Sequence, residues 1–498
     1  MYISTRGNYH PVSASEAIRL GMVPEGGLFV PENIPLVDQE KIKAMAGQTY
    51  GEVAQSVLEL YLDDFTGGEI RDIINESYNL VNFDHPDIAP LAKLDRETYI
   101  LELWHGPTAA FKDMALQIMP RLLVKAVEKT GSEEEVIIPV ATSGDTGKAA
   151  LEGFKNVPGV RIIVFYPYGG VSKVQELQMT TAEGNNVAVV AVKGNFDDCQ
   201  SAVKEAFADP EFNRLLASRK MVFSSANSIN WGRLLPQIVY YFWGYAQLLK
   251  TGEITIGEKI NVVVPTGNFG NILAGYYAYL MGLPVQKFIC ASNKNNVLTD
   301  VFNTGVYDRR REFYRTISPS MDILISSNFE RFLFEISGHD SEKIAAWYRE
   351  LHDKGFFRVD EEYRQRWQDL FIGDFTGDEE TLQEIKKTYE DKKYLLDTHT
   401  GVGVRVYRNY AQRTGDQTKT IIDATANPYK FNQAVLEAIA GKEAVTGKDE
   451  FSVLQELHRI TGMPIHRALK DLDKRPVVYN RVIEKSGIKQ AIRDILGI

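Results

Sequence analysis

At 498 residues with 44% hydrophobic content, the chain is long enough to bury more than one core, and its length sets an expectation of two or three domains. Its 56 basic and 66 acidic residues give a formal charge of -10, which argues against nucleic acid or an anionic membrane as the main partner. The only cysteines, Cys199 and Cys290, lie far apart in sequence, which excludes a disulfide framework or a cysteine metal site and fits a reducing, cytoplasmic setting.

Residues 1–94 combine helical stretches with a turn-rich piece, PEGGLFVPENIP, and read as an N-terminal subdomain. The opening MYISTRGNYHPV has no basic flank leading into an apolar core, so no secretory signal is expected. From Thr98 onward short apolar runs alternate with helical stretches: YILELW (99–104), VIIPVAT (136–142), VRIIVFY (160–166), VAVVAV (187–192), MVFS (221–224), INVVVPT (260–266), then 285–291 and 420–424. Runs that are apolar throughout are what strands covered on both faces look like, so an α/β fold with two parallel sheets is predicted. The spacing also predicts a helix over 114–127, bent or split by Pro120. The most apolar long segment, 234–249, is interrupted by Gln237 and Gln247 and falls short of a bilayer span, so no membrane segment is expected. Residues 300–393 turn to charged helical sequence and read as a helical insertion. The expected organisation is therefore an N-terminal subdomain (1–94), a large domain (95–130 and 237–435, with the insertion), a small domain (131–236), and a C-terminal helical segment (436–498) wrapped on the large domain.

Chemistry concentrates at strand ends. HGPTAAFKD (105–113) follows the first run, and Lys112 is flanked by Phe111, Trp104 and Pro107, a setting in which desolvation favours a neutral, nucleophilic amine. A surface lysine opening a helix is the plain alternative, and this stretch alone does not decide between them. PTGNFGN (265–271) suits a phosphate cup, because Gly267 and Gly270 allow close backbone approach and the next helix offers free N–H groups. It has neither the lysine and hydroxyl of a nucleoside-triphosphate loop nor the G-x-G-x-x-G spacing, and a glycine turn used only for packing stays open. In TSGDTG (142–147), Ser143 and Thr146 with a helix starting near Asp145 would suit a small carboxylate, although a plain N-cap is the better reading of Asp145 taken singly. Thr425, at the end of TKTIIDA, is placed to reach the edge of a bound ring, while a threonine satisfied by backbone is the commoner role. His105 and His399 have no third ligand at useful spacing, so no metal is predicted.

A lysine nucleophile, a phosphate cup without Mg²⁺ ligands, a carboxylate-binding turn and a ring-facing hydroxyl together describe a pyridoxal phosphate enzyme acting on an amino acid. HGPTAAFKD, TSGDTG, SSANSINWGRLLPQ, PTGNFGN, SPSMDILISSNFER and DATANPYKF, in this order, with the N-terminal STRG and GGLFVPENIP, resemble the threonine synthase family over nearly the whole chain. That resemblance implies the fold of the tryptophan synthase β-subunit, fold type II of the pyridoxal phosphate enzymes. It also implies conversion of O-phospho-L-homoserine and water to L-threonine and phosphate. It assigns Lys112 to the imine with the cofactor, Gly267, Asn268, Phe269, Gly270 and Asn271 to the cofactor phosphate, and Thr425 to the pyridine nitrogen. Members without the plant N-terminal extension are expected to ignore S-adenosylmethionine and to be monomers or weak homodimers. For the substrate phosphate the expected cation is Arg233 in NSINWGRLLPQ, with Lys148 in TSGDTGKA second. Rival readings are a related lyase of the same fold, such as a threonine dehydratase, a cysteine synthase or a phospho-amino-acid lyase, and a non-catalytic binding protein, which an intact Lys112 disfavours.

Overall fold

The structure, a computed structural model, describes residues 1–142 and 144–498 and, at Asp197, the main chain only. Two parallel sheets organise it. The larger has six strands in the order Phe371–Phe375, Val285–Ser292, Ile260–Pro265, Thr420–Ala424, Thr98–Glu102, Leu91–Lys93, all parallel except the last, which runs antiparallel to its neighbour. The smaller has five parallel strands in the order Val482–Glu484, Val187–Lys193, Val160–Pro167, Glu135–Ala141, Met221–Phe223. The predicted apolar runs are the central strands of both, except Met221–Phe223, which is an edge strand of the smaller sheet. Ile260–Pro265 is buried at every position, as expected of a strand covered on both faces.

The helix Trp231–Lys250 joins the parts of the molecule. It is buried from Trp231 to Leu248, which is why its sequence is apolar almost all round. Gly244 lets it lie against Ile421 and Leu101 of the large sheet. At its other end the Trp231 ring packs on Tyr2 and Tyr61 of the N-terminal subdomain, each with ring centroids 5.5 Å away. Among the described residues no helix is long and apolar enough to cross a membrane.

The helix predicted over 114–127 is split, into Asp113–Leu116 and Met119–Lys129, with Pro120 in the first turn of the second, where its missing N–H costs no hydrogen bond. Two differences concern the later chain. Within the expected insertion, Phe371–Phe375 returns to the large sheet as its edge strand. FIGDF is short, with Phe371 and Gly373 buried and Ile372 and Asp374 half-exposed, so charged helices on both sides masked it. The C-terminal segment does not only wrap the large domain: Val482–Glu484 extends the small sheet, and Ile488, Ala491, Ile492 and Leu496 pack onto that sheet's core beside Val190 and Val192.

Candidate active site

The site lies at the carboxyl ends of the large-sheet strands, where open α/β sheets place their ligands. The Thr98–Glu102 strand leads into a loop ending at Lys112, immediately before the helix Asp113–Leu116. Asp113 shapes this loop from within, accepting hydrogen bonds from the Thr108 N–H (2.8 Å) and hydroxyl (2.7 Å). The loop is also sewn to the adjacent strand end: Phe111 N–H donates to Thr425 O at 2.9 Å and Asn427 N–H to Ala109 O at 3.0 Å. Ala109 takes a left-handed conformation (φ 61°) to make this possible, a strain that the two crossing bonds hold in place.

Lys112 Nζ donates to Ser320 Oγ at 3.3 Å and stands 3.8 Å from Asp145 Oδ2. Burial pulls its amine down to about 8; Asp145 opposes the shift, and the cations Lys430 and Arg233 reinforce it.

The helix Gly270–Leu280 begins without a side-chain cap, and its first i to i−4 bond is Leu273 N–H to Phe269 O, so the N–H groups of Gly270, Asn271 and Ile272 have no hydrogen-bond partner among the described residues and can face an anion. Phe269, at φ 64°, is left-handed, a conformation costing roughly 1–2 kcal/mol for a residue with a Cβ. Its ring is driven into an aromatic core, 5.2 Å from Phe329 and 5.4 Å from Phe332, and ring pairs of this kind contribute about 0.5–1.5 kcal/mol each beyond area burial. Only the main chain of Phe269 is therefore left for the cup, not its side chain. Asn271 accepts hydrogen bonds from the hydroxyls of Tyr240 and Tyr241, while its buried Nδ2 has no protein partner among the described residues. A Cβ on Gly267 would sit 2.7 Å from Ser320 O, so this glycine lets the 318–321 segment close over the cup and present Ser320 to Lys112. That segment is held by Asp322, which accepts from Asn293 at 2.8 Å, Asn295 at 3.0 Å and the Thr316 hydroxyl at 2.7 Å.

In TSGDTG the helix starts at Asp145 after Gly144, whose φ of 138° favours glycine and whose Cβ would meet the Gln175 amide at 2.5 Å. The turn is organised by Thr142, whose hydroxyl accepts from Gly144 N–H (3.0 Å) and Gly147 N–H (2.9 Å). Ser143 lies outside the described residues, and the Thr146 side chain makes no hydrogen bond among them. Asp145 is neither a cap nor a free contact. Its Oδ1 pairs with Lys430 at 2.9 Å and accepts from Gln175 at 3.2 Å. Burial opposes its charge, but Lys430 and Lys112 outweigh that and hold it well below the usual carboxylate range.

Arg233 is buried in the first turn of its helix, with Nη1 donating to Ala226 O at 2.6 Å and no carboxylate partner among the described residues. Burial lowers its guanidinium to about 10. Lys148, by contrast, is tied to Glu152 one turn along its own helix. Thr425 is buried, and its hydroxyl has no hydrogen-bond partner among the described residues. His399 Nε2 accepts from the Ser320 N–H at 3.1 Å and His105 bridges Asp84 (2.6 Å) and Glu102 (2.9 Å), so both histidines serve as supports. Sequence reasoning missed Ser320, Lys430 and Gln175, and weighed His399 only as a metal ligand. Ser320 and Lys430 stand inside the motifs SPSMDILISSNFER and DATANPYKF, but their partners are distant in sequence.

This set fits pyridoxal phosphate: a bare helix N-terminus for the phosphate, a buried Asn271 amide in that first turn without a hydrogen-bond partner among the described residues, and an amine of lowered basicity for the aldehyde. Fold and site together define a fold type II pyridoxal-phosphate-dependent enzyme, and the family model described as pyridoxal-phosphate dependent enzyme matches residues 84–361. Residues 1–78 match the threonine synthase N terminus and 400–490 the threonine synthase C-terminal region. The chain is 39% identical to a threonine synthase of Pseudomonas aeruginosa, covering 93% of this chain and 95% of that one. It is also 39% identical to human threonine synthase-like 1, of which it spans 62%. The structure of a pyridoxal-phosphate-bound threonine synthase from Brucella melitensis matches with a TM-score of 0.87 at 35% identity, over 99% of both chains. The chain belongs to the threonine synthase family.

Proposed function

We propose that the protein converts O-phospho-L-homoserine and water to L-threonine and phosphate. The observation that carries this reading is Arg233, a buried guanidinium without a carboxylate partner among the described residues, separate from the 267–271 cup. A related lyase of the same fold needs one phosphate site, for its cofactor. An enzyme whose substrate also carries a phosphate needs two.

Lys112 would hold the cofactor covalently, the main-chain N–H groups of 267–271 its phosphate, and Thr425 its ring nitrogen. When bound, pyridoxal phosphate supplies the electron sink that makes protons at the substrate's Cα and Cβ acidic. Lys112 Nζ would take the Cα proton, and its lowered basicity suits a base acting near neutral pH. Ser320 Oγ, 3.3 Å from Nζ, orients the amine as it gains and returns protons. Arg233 binds the phosphate through two parallel hydrogen bonds and stabilises it as it leaves Cγ. A second proton, lost from Cβ, would be returned at Cγ to form the methyl group; water would then supply a hydroxyl at Cβ, its other proton going to the departed phosphate, and Lys112 Nζ would return its proton to Cα.

The test is product analysis of the purified protein with pyridoxal phosphate and O-phosphohomoserine. Threonine and phosphate in equal amounts are expected. A 2-oxo acid and ammonia in place of threonine would point to the lyase reading. Thr425→Asp is expected to place a carboxylate at the ring nitrogen, favour its protonated form and change the visible spectrum. Phosphate release should slow about tenfold or more, equivalent to ~1.4 kcal/mol of transition-state stabilisation. An unchanged spectrum and rate would remove Thr425 from the ring.

A further inference from the structure

Lys430 is a fully buried ammonium with no role in the proton and phosphate transfers. It lies in the short 3-10 helix Pro428–Phe431 after the Thr420–Ala424 strand, and its Nζ reaches Asp145 Oδ1 at 2.9 Å and Thr108 O at 3.0 Å. It thus joins three strand-end segments: its own, the lysine loop, and the first turn of the small-domain helix Asp145–Phe154. Asp145 is the carboxylate that faces Lys112, and the two lysines compete for it. Lys430 holds one oxygen at hydrogen-bond distance, while Lys112 stands 3.8 Å from the other and donates to Ser320 Oγ, whose own hydroxyl donates to that second oxygen at 3.4 Å.

We propose that Lys430 is a positioning residue whose ammonium engages Asp145, prevents a close Lys112–Asp145 ion pair, and so leaves the Lys112 amine free to meet the cofactor carbonyl. A buried carboxylate beside a buried amine forms a tight pair unless a third charge engages it, because in a desolvated site the attraction is poorly screened. Removing Lys430 would change two things with the same sign: a cation near Lys112 disappears, and Asp145 becomes available to it. Both favour the ammonium form. The other groups acting on Lys112 are Arg233 from the Trp231–Lys250 helix and Asp113 beside it, and Asp145 also feels His399. None of these changes when Lys430 is replaced.

The inference rests on Lys112 as the lysine that carries the cofactor, so the experiment reads the amine and not turnover. In the full-length chain freed of cofactor, the rate of Lys112 acetylation by acetic anhydride is followed against pH by peptide mass. The wild-type midpoint is expected at about 8. In Lys430→Met it should move up by ~1 unit or more, the scale of a nearby charge, cutting labelling below the midpoint about tenfold. Lys430→Arg, which keeps the charge, should restore the wild-type profile. Lys430→Gln keeps a donor for Asp145 and Thr108 O but not the charge, and should shift like the methionine variant if that one does not fold. A folded neutral variant with the wild-type profile overturns the proposal. So does acetylation of Lys430 in step with Lys112 in the wild-type protein, since the account requires Lys430 to stay protonated and paired. Reduction of the cofactor onto a different lysine would instead remove the reading of Lys112, which separates the two failures.

Discussion

Lys112→Ala is expected to lower kcat on O-phosphohomoserine by more than about 10⁴-fold, because one substitution removes both the covalent anchor and the base at Cα. The fold should survive. The bonds that build the loop are made by other groups: Phe111 N–H to Thr425 O, Asn427 N–H to Ala109 O, and the Thr108 pair to Asp113. Asp145 keeps Lys430 and Gln175 as partners, so no buried charge is orphaned. Circular dichroism and thermal unfolding should therefore stay close to wild type, and the cup should still retain cofactor noncovalently. A folded variant with more than about a tenth of wild-type kcat would exclude the assigned role, since loss of a base alone costs ~10²–10⁴.

The second large effect is expected at Arg233. Arg233→Ala should reduce kcat/KM for O-phosphohomoserine by more than about 100-fold, the scale of removing one charge-assisted hydrogen bond from a transition state. Cofactor content should not change, because the cup is a separate helix N-terminus. The substitution also strips Ala226 O of its donor, so a stability loss of roughly 1–3 kcal/mol is expected and needs measuring beside the kinetics. Arg233→Lys keeps the charge without the planar fork and should fall between the two. A stable Arg233→Ala enzyme with wild-type kcat/KM would make the arginine structural. Lys148 would then be the next cation to test, although it would first have to leave Glu152.

Much of this architecture was legible in the sequence because its signals are local. Apolar runs such as INVVVP and TIIDA need no partner to be read as covered strands, and Pro120 splits its helix by backbone chemistry alone. Strands of three residues, such as Leu91–Lys93 and Val482–Glu484, are too short to show a period and exist only because a sheet edge accepts them. The site divides in the same way. Lys112 and the 267–271 turn announce themselves by their corners, whereas Lys430 gains meaning only from Asp145 and Thr108, which the topology brings together. At Phe269 the motif locates the backbone, while the left-handed turn that sends the ring into the core is visible only in the structure. Asp145, read singly as an N-cap, is instead a buried anion set between two lysines.

Borohydride reduction of the protein with pyridoxal phosphate tests whether the chemistry converges on Lys112. Peptide mass analysis should find the reduced cofactor on the peptide carrying Lys112, in a stoichiometry matching the loss of yellow absorption. Label on another lysine, Lys430 included, with Lys112 unmodified, would contradict the account.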